Sequence, residues 1–420
     1  MAKIDALAKK KEDELKTFEP RSRGYMIFLV IFMGLVGNMD NYISLIETRI
    51  LPDIRGSFGL SQPEMLLWLS IFGVISFAVF FIAWFFDAFG RKKGILLLMA
   101  TLSIPCLFIG LLPEFLFVFL TMYGISIMAT QSNAWQIPIT EDSPPKKRGL
   151  YGGLTFLIGL IPLYALFGGD ISTALGWQWA YGIMFFLFLI LLIPWYFMKE
   201  PERWKRSREE DHGGKYLKIK AALKSLSRKD IIYVVISSIV YTLWSISFKL
   251  GTLGGGDFYI TQVGYTPDEF DTILTVGGLL TMVGAGIGGL LMDKLGRIGT
   301  LIIGCTGSAI GYIFLGISTS PIFFWMIYLF MPVVLAWIMV YFGEIFPTRI
   351  RSTAVGITNT AARSSYVTAP LIGAAITAVN PSMLFYWIIA GLIIILPMFS
   401  LLIKPYETKG QTLEEIEQGR

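Results

Sequence analysis

The chain has 420 residues, 54% of them hydrophobic and only 15% charged, with a mean hydropathy of +0.64. That balance lies outside the range of soluble globular domains, and two cysteines with a single histidine leave no cluster for a metal-dependent enzyme. The formal charge of +5 is topological and says nothing of nucleic acid: 31 of the 35 Lys and Arg fall in the two tails and every second loop.

A bilayer core of ~30 Å needs ~20 apolar residues per helix. Twelve such segments are expected, near 25–47, 65–86, 93–112, 114–138, 150–170, 177–198, 231–255, 271–292, 299–318, 321–343, 352–378 and 382–403. The 24 polar residues ahead of the first are too many for a signal peptide. The expected division is an N-terminal tail (1–24), a six-helix bundle (25–198), a central loop (199–230), a second bundle (231–403) and a C-terminal tail (404–420). The tails and the central loop would be cytoplasmic, because only Arg49 and Arg55 fall in the opposite loops.

Segment 1 carries Asp40, Asn41 and Glu47. Asp40 lies ~22 Å along the helix from Tyr25, past the midplane, and Glu47 shares its face seven residues on. An ionisable group inside a span costs several kcal/mol and is a functional candidate by default. Asp40 and Glu47 are therefore candidates for carrying a proton, the alternative for Asp40 being a permanently paired structural charge. Cys106 and Cys305, in segments 3 and 9, read as packing residues.

Polar breaks between segments repeat. Asp87-Ala-Phe-Gly90-Arg91-Lys, after segment 2, is echoed 206 residues later by Asp293-Lys-Leu-Gly296-Arg297-Ile. Glu141 to Arg148, after segment 4, is echoed 203 later by Glu344 to Arg351, and Lys199-Glu-Pro-Glu about 204 later by Lys404-Pro-Tyr-Glu. A repeat of this length implies two homologous bundles facing each other across a midplane site, as in many secondary transporters. Charge-assisted pairs of Asp87 with Arg91, Asp293 with Arg297, Glu141 with Arg148 and Glu344 with Arg351 would latch the bundles at the cytoplasmic face. The plainer alternative is that these charges only fix topology.

The central loop contains Tyr216 to Lys224, with apolar and basic faces, either a short surface helix or a solvated linker. Segment 7 holds Lys249, which could partner Asp40, contact an anionic substrate or snorkel to the headgroups. Segment 11 holds Arg363, whose guanidinium could grip a carboxylate, pair with Glu344 or line the inner vestibule.

The motifs resemble those of the major facilitator superfamily, and the likeness covers nearly the whole chain. Asp87-x-x-Gly90-Arg91 and Asp293-x-x-Gly296-Arg297 are similar to its signature, and Gly176-Trp-Gln-Trp to its Gly-Trp-Arg-Trp element. Glu141-x-x-Pro144-x-x-x-Arg148-Gly149, Tyr341-x-x-Glu344-Ile-Phe-Pro-Thr-x-x-Arg351 and the tail Pro405-Tyr-Glu-Thr resemble the sugar-porter and metabolite–proton symporter branch, which includes synaptic vesicle glycoproteins and organic-ion carriers. The resemblance implies an all-α integral membrane protein of twelve helices in two pseudo-symmetric bundles. It implies that helices 1, 4, 7 and 10 line the cavity. Asn41, Gln131, Asn133, Gln136, Tyr241, Trp244, Trp337 and Tyr341 would then meet substrate, with Lys249, Asn359 and Arg363. Asp40 resembles the helix 1 aspartate of proton-coupled relatives, and Asn359 to Pro370 the Gly-Arg-x-Gly stretch of organic-ion carriers.

Departures bear on the substrate. The Gln-Gln pair of hexose porters is missing from segment 7, and Leu120 stands where arginine is expected. Two intramembrane cations tilt the expectation to a proton-coupled carrier of a small organic anion, with a sugar or polyol carrier as the alternative. A non-transporting receptor is the third reading, disfavoured because both halves keep the latch motifs. No enzyme activity, cofactor or metal is expected. The expected partners are a small-molecule substrate, protons and membrane lipids, for a monomer in the plasma membrane.

Overall fold

The computed structural model describes residues 21–144, 147–202, 204–205, 227–346, 351–398 and 407–409, and these form helices without any strand. The stretch 216–224 and the Lys404-Pro-Tyr motif start lie outside the described residues.

Twelve passes follow one another. Pass 1 is α1 (Arg23–Leu45) with α2 (Glu47–Ser57). Pass 2 is α3 (Gln62–Gly73), a 3-10 turn (Val74–Ala78) and α4 (Val79–Phe89); pass 3 is α5 (Arg91–Leu111). Pass 4 is α6 (Leu116–Ala129), a 3-10 turn (Ala134–Gln136) and α7 (Ile137–Asp142). Pass 5 combines α8 (Arg148–Gly159), α9 (Leu163–Leu166) and α10 (Gly168–Leu175), and pass 6 is α11 (Trp177–Phe197). In the second half, α12 (Arg228–Gly256) continues into a π turn (Asp257–Val263) as pass 7, and α13 (Pro267–Ser318) makes passes 8 and 9. Pass 10 is α14 (Pro321–Ile345), pass 11 is α15 (Arg351–Ala362) with α16 (Ser365–Val379), and pass 12 is α17 (Leu384–Ile395).

Among the described residues, eight helical runs are long and apolar enough to cross a membrane unaided. The difference from twelve has local causes. Passes 8 and 9 are read as one run through Gly296, pass 12 is short, and passes 4 and 11 are each broken in mid-course. In pass 4 the polar stretch Thr130-Gln-Ser-Asn offers the backbone side-chain partners, and Pro138 starts the next helix without an N–H to lose. Gln131 and Asn133 take left-handed φ of 52° and 51°.

Gly90 and Gly296 reverse the chain at equivalent points, with φ of 105° and 81°. Each reversal turns a helix N-terminus towards a carboxylate. Glu200 accepts from the backbone N–H of Arg91 and Lys92, and Glu407 from those of Arg297 (2.9 Å) and Ile298 (3.3 Å). Both carboxylates lie in the third repeat, Glu200 at its second position and Glu407 at its fourth, so that repeat supplies a helix cap to each half. Burial pushes the Glu407 carboxyl up, but four backbone N–H donors outweigh it and hold it below the usual range.

Within each half the passes bury apolar faces, α5 against α6 and α11, α13 against α14 and α17. Between the halves, α3 packs on α16, α2 on α12 and α9 on α13. Phe80, Phe81, Trp84, Ile190, Ile193 and Phe197 are exposed, the apolar outer surface that a bilayer requires.

Candidate functional site

A cavity of about 520 Å³ separates the two halves, within the range of small-molecule sites. Its lining runs to Gly152, Met292 and Val340, close in sequence to Arg148, Asp293 and Glu344, so it extends towards the face that carries the motif loops. The first half contributes Asp40, Asn41, Gln131, Asn133, Trp135 and Gln136, and the second Tyr241, Trp244 and Phe248.

Among the described residues, Asp40 is the one charged side chain in this lining. Its Oδ1 accepts from the Gln131 backbone N–H at 2.6 Å and from the Ser44 hydroxyl at 3.5 Å, and its Oδ2 from the Trp135 indole N–H at 3.2 Å. Among the described residues it has no ion pair. A carboxylate held by neutral donors can take up a proton without separating from a buried counter-charge.

Lys249 pairs with Glu47 and not with Asp40, and at 3% exposure it does not snorkel. It meets α2, about two turns beyond Asp40, because α12 lies against the start of that helix. The Tyr123 hydroxyl also donates to Glu47, and Thr252 Oγ1 donates at 3.1 Å. This buried cluster joins the halves. So do Arg49, whose Nε lies 2.7 Å from Asp271, and Arg55, 2.7 Å from Asp257. In the sequence, Arg49 and Arg55 bear only on topology; what marks them further is that they are two arginines in loops otherwise free of basic residues, with acidic residues available at the end of pass 7 and the start of pass 8.

The two described motif arginines contact glutamates that the expected pairs did not give them. Arg91 Nη2 and Nε contact Glu141 at 2.8 and 3.0 Å, and Arg297 Nη2 and Nε contact Glu344 at 2.5 and 3.1 Å. Each arginine therefore reaches the glutamate of the next motif within its own half. Arg297 takes Glu344 as its ion partner, with Asp293 acting at longer range, because the Gly296 reversal swings the arginine towards α14. The side chains of Asp87, Arg148 and Arg351 lie outside the described residues. Among the described residues no ion pair crosses between halves on this face, whereas three do so on the opposite face.

Arg363 neither lines the cavity nor pairs with Glu344. It is 5% exposed and donates to backbone carbonyls of pass 4, Thr130 at 2.5 Å and Ile127 at 3.4 Å. Trp337 and Tyr341 also stand outside the lining, buried and stacked at 4.6 Å. The cavity face of α14 is Met331, Leu335, Ala336 and Met339, at helical spacing, which turns Trp337 and Tyr341 away. Asn359 is exposed and outside the lining.

The sequence model of the Major Facilitator Superfamily matches residues 26–341 and 256–419. The cis,cis-muconate transport protein of Acinetobacter baylyi (strain ATCC 33305 / BD413 / ADP1) is 25% identical over 347 residues, 78% of this chain and 82% of its own length. The arabinose-proton symporter of Bacillus subtilis (strain 168) is 24% identical over 478 aligned positions, 97% of each chain. Among solved structures, the inward open conformation of the xylose transporter XylE from E. coli superposes with a TM-score of 0.68 at 20% identity, covering 94% of this chain and 99% of that one. Both halves thus fall under one family description and carry one repeated Arg–Glu arrangement around a shared cavity. The chain is a multi-pass membrane protein of the Major Facilitator Superfamily of transporters.

Proposed function

We propose that this protein is a monomeric, proton-coupled carrier of the plasma membrane, with both termini cytoplasmic, that moves a small neutral polar metabolite such as a sugar or polyol by alternating access. The observation that carries the reading is Asp40: the only charge in the cavity lining among the described residues, held by neutral donors that leave it free to load and release a proton. Amides from Asn41, Gln131, Asn133 and Gln136 facing Tyr241, Trp244 and Phe248 suit a hydroxyl-rich ring, which needs many modest hydrogen bonds and an apolar face to stack on. The organic-anion expectation rested on Lys249 and Arg363, and both are engaged away from the cavity. That second reading keeps the support of the muconate-transporting relative.

Asp40→Asn is expected to abolish uptake driven by a pH gradient yet spare counterflow exchange, which needs no net proton movement. If Asp40→Asn accumulates substrate against a gradient as the wild type does, coupling through Asp40 is wrong. Thermal-shift measurements against sugars, polyols and carboxylic acids address the substrate, because a ligand that binds only the folded state raises Tm. Stabilisation by carboxylates alone would overturn the neutral-substrate reading in favour of the anion.

A further inference from the structure

The break in pass 4 is held from both sides, and by different halves of the molecule. α6 stops at Ala129 and the backbone passes through left-handed Gln131 and Asn133; Ile127 O keeps the Thr130 N–H at 3.3 Å, and Thr130 O lies at the break itself. Arg363 reaches both carbonyls. Its Nη2 donates to Thr130 O at 2.5 Å and its Nη1 to Ile127 O at 3.4 Å. Arg363 itself stands in the break between α15 and α16, and its own carbonyl accepts from Ser76 Oγ at 3.4 Å, in the 3-10 turn of pass 2. Three residues on, the Tyr366 hydroxyl shares a hydrogen bond of 3.1 Å with Thr130 Oγ1. A Cβ on Gly73 would collide with the Tyr366 carbonyl, so passes 2 and 11 touch backbone to backbone here. Three interrupted passes, two from the first half and one from the second, meet around Arg363: pass 4 at its guanidinium and pass 2 at its backbone carbonyl.

The other side of the same break holds Asp40. The carbonyl of Thr130 and the N–H of Gln131 belong to one peptide group, and in a trans peptide they point in opposite directions. The N–H donates to Asp40 Oδ1 at 2.6 Å while the C=O accepts from Arg363. A carboxylate of the first half and a guanidinium of the second are therefore joined through a single peptide unit. Hydrogen bonds in such a chain polarise one another: a charged acceptor on the N–H makes the C=O a stronger acceptor.

We propose that Arg363 is a positioning residue for proton coupling: through the Thr130–Gln131 peptide group it makes closure of the face opposite the motif loops depend on the charge of Asp40. With Asp40 charged, the carbonyl grips Arg363 and the halves stay together on that face. With Asp40 protonated, the grip weakens and that face opens more readily, which holds a protonated, empty carrier open to the side away from the motif loops. The inference rests on the proton-coupled reading of Asp40. The ionisable and charged groups around Arg363 are Asp40 on α1, Tyr241 and Lys249 on α12 and Tyr366 on α16, with Glu47 and Tyr123 behind Lys249.

The test is a distance measurement between spin labels on α2 and on the first turns of α13, in substrate-free protein in lipid, as the pH is lowered. Wild type is expected to shift towards a far-face-open population on acidification. Arg363→Gln is expected to lose that shift, leaving one population ratio at every pH. Arg363→Lys, which keeps the buried charge but not the two-pronged reach, is expected to show a reduced shift, and it decides the question alone if the Gln variant does not fold. An undiminished shift in every Arg363 variant that folds overturns the inference, since a merely structural clamp would lower stability without touching the pH response. Asp40→Asn separates the two failures. If its response is flat while the Arg363 variants respond as wild type, Arg363 is not the link and the proton reading stands. If Asp40→Asn still responds as wild type, the proton reading itself fails.

Discussion

Glu47 and Lys249 are both almost inaccessible, and each is the other's counter-charge across the boundary between the halves. Removing one partner of such a pair strands a buried charge, at a typical cost of ~3–5 kcal/mol, whereas removing both can be nearly neutral. Glu47→Gln and Lys249→Met are each expected to lower Tm strongly, and the double variant to recover most of the loss. Losses that simply add in a double-mutant cycle would show that the two side chains do not stabilise one another. From the sequence, Glu47 and Lys249 were visible as costly intramembrane charges but their pairing was not, because lysine's level along pass 7 depends on how α12 packs against α2. Arg363 was visible for the same reason. Its partners are backbone carbonyls, which leave no mark in the side-chain pattern.

At the scale of elements, the two glycine reversals and their glutamate caps are the clearest product of the repeat. Gly90 and Gly296 occupy backbone conformations that L side chains avoid, and each lies against a carboxylate. Gly90→Ala or Gly296→Ala is expected to cost ~1–3 kcal/mol. Gly286→Ala, where an added Cβ meets nothing within 4 Å, is expected to be neutral or slightly stabilising. Equal Tm values for all three variants would remove the argument. Glu407 carries a pH signature. Its carboxyl is held below the ordinary glutamate value of 4.5, so its contribution is present above that value and is lost as pH falls through the lower folded-state value. Glu407→Gln is therefore expected to flatten the acid limb of a Tm–pH profile, and an unchanged limb would count against the cap.

At the scale of the whole molecule, the ion pairs among the described residues are unevenly divided between the two faces. Arg49–Asp271, Arg55–Asp257 and Lys249–Glu47 join the halves on one face, while the described pairs on the motif face, Arg91–Glu141 and Arg297–Glu344, stay within a half. Removing links that exist in only one state biases the equilibrium towards the other. The combined Arg49→Gln and Arg55→Gln variant is expected to raise the population open on the far face, read by cross-linking or label distances. Glu141→Gln and Glu344→Gln are expected to loosen their own halves without that shift. A far-face population unchanged in the double arginine variant would mean these pairs are incidental. The orientation of the whole is tested separately: a cysteine placed at His212 is expected to resist an impermeant reagent applied outside intact cells, and labelling there would invert the topology.

The amino-acid sequence by itself determined the class of the molecule and its doubling. Apolar length, the 31 basic residues segregated to one set of segments and the motifs recurring after 206 and 203 residues are local or periodic facts, and the bilayer converts them directly into twelve passes and two bundles. Asp40 also stands out in the sequence as a candidate, since a carboxylate deep in an apolar span is conspicuous at any packing. Tertiary structure decided the rest. Which arginine meets which glutamate depended on the turn at Gly90 and Gly296. Which aromatics face the cavity depended on the rotation of α14 about its axis, and that rotation hid Trp337 and Tyr341. The two intramembrane cations suggest a substrate when read in sequence, yet in the fold one meets Glu47 and the other the backbone carbonyls at the break in pass 4. A charge in lipid must find a partner, and the sequence states the need while only the packing of one half on the other supplies the answer.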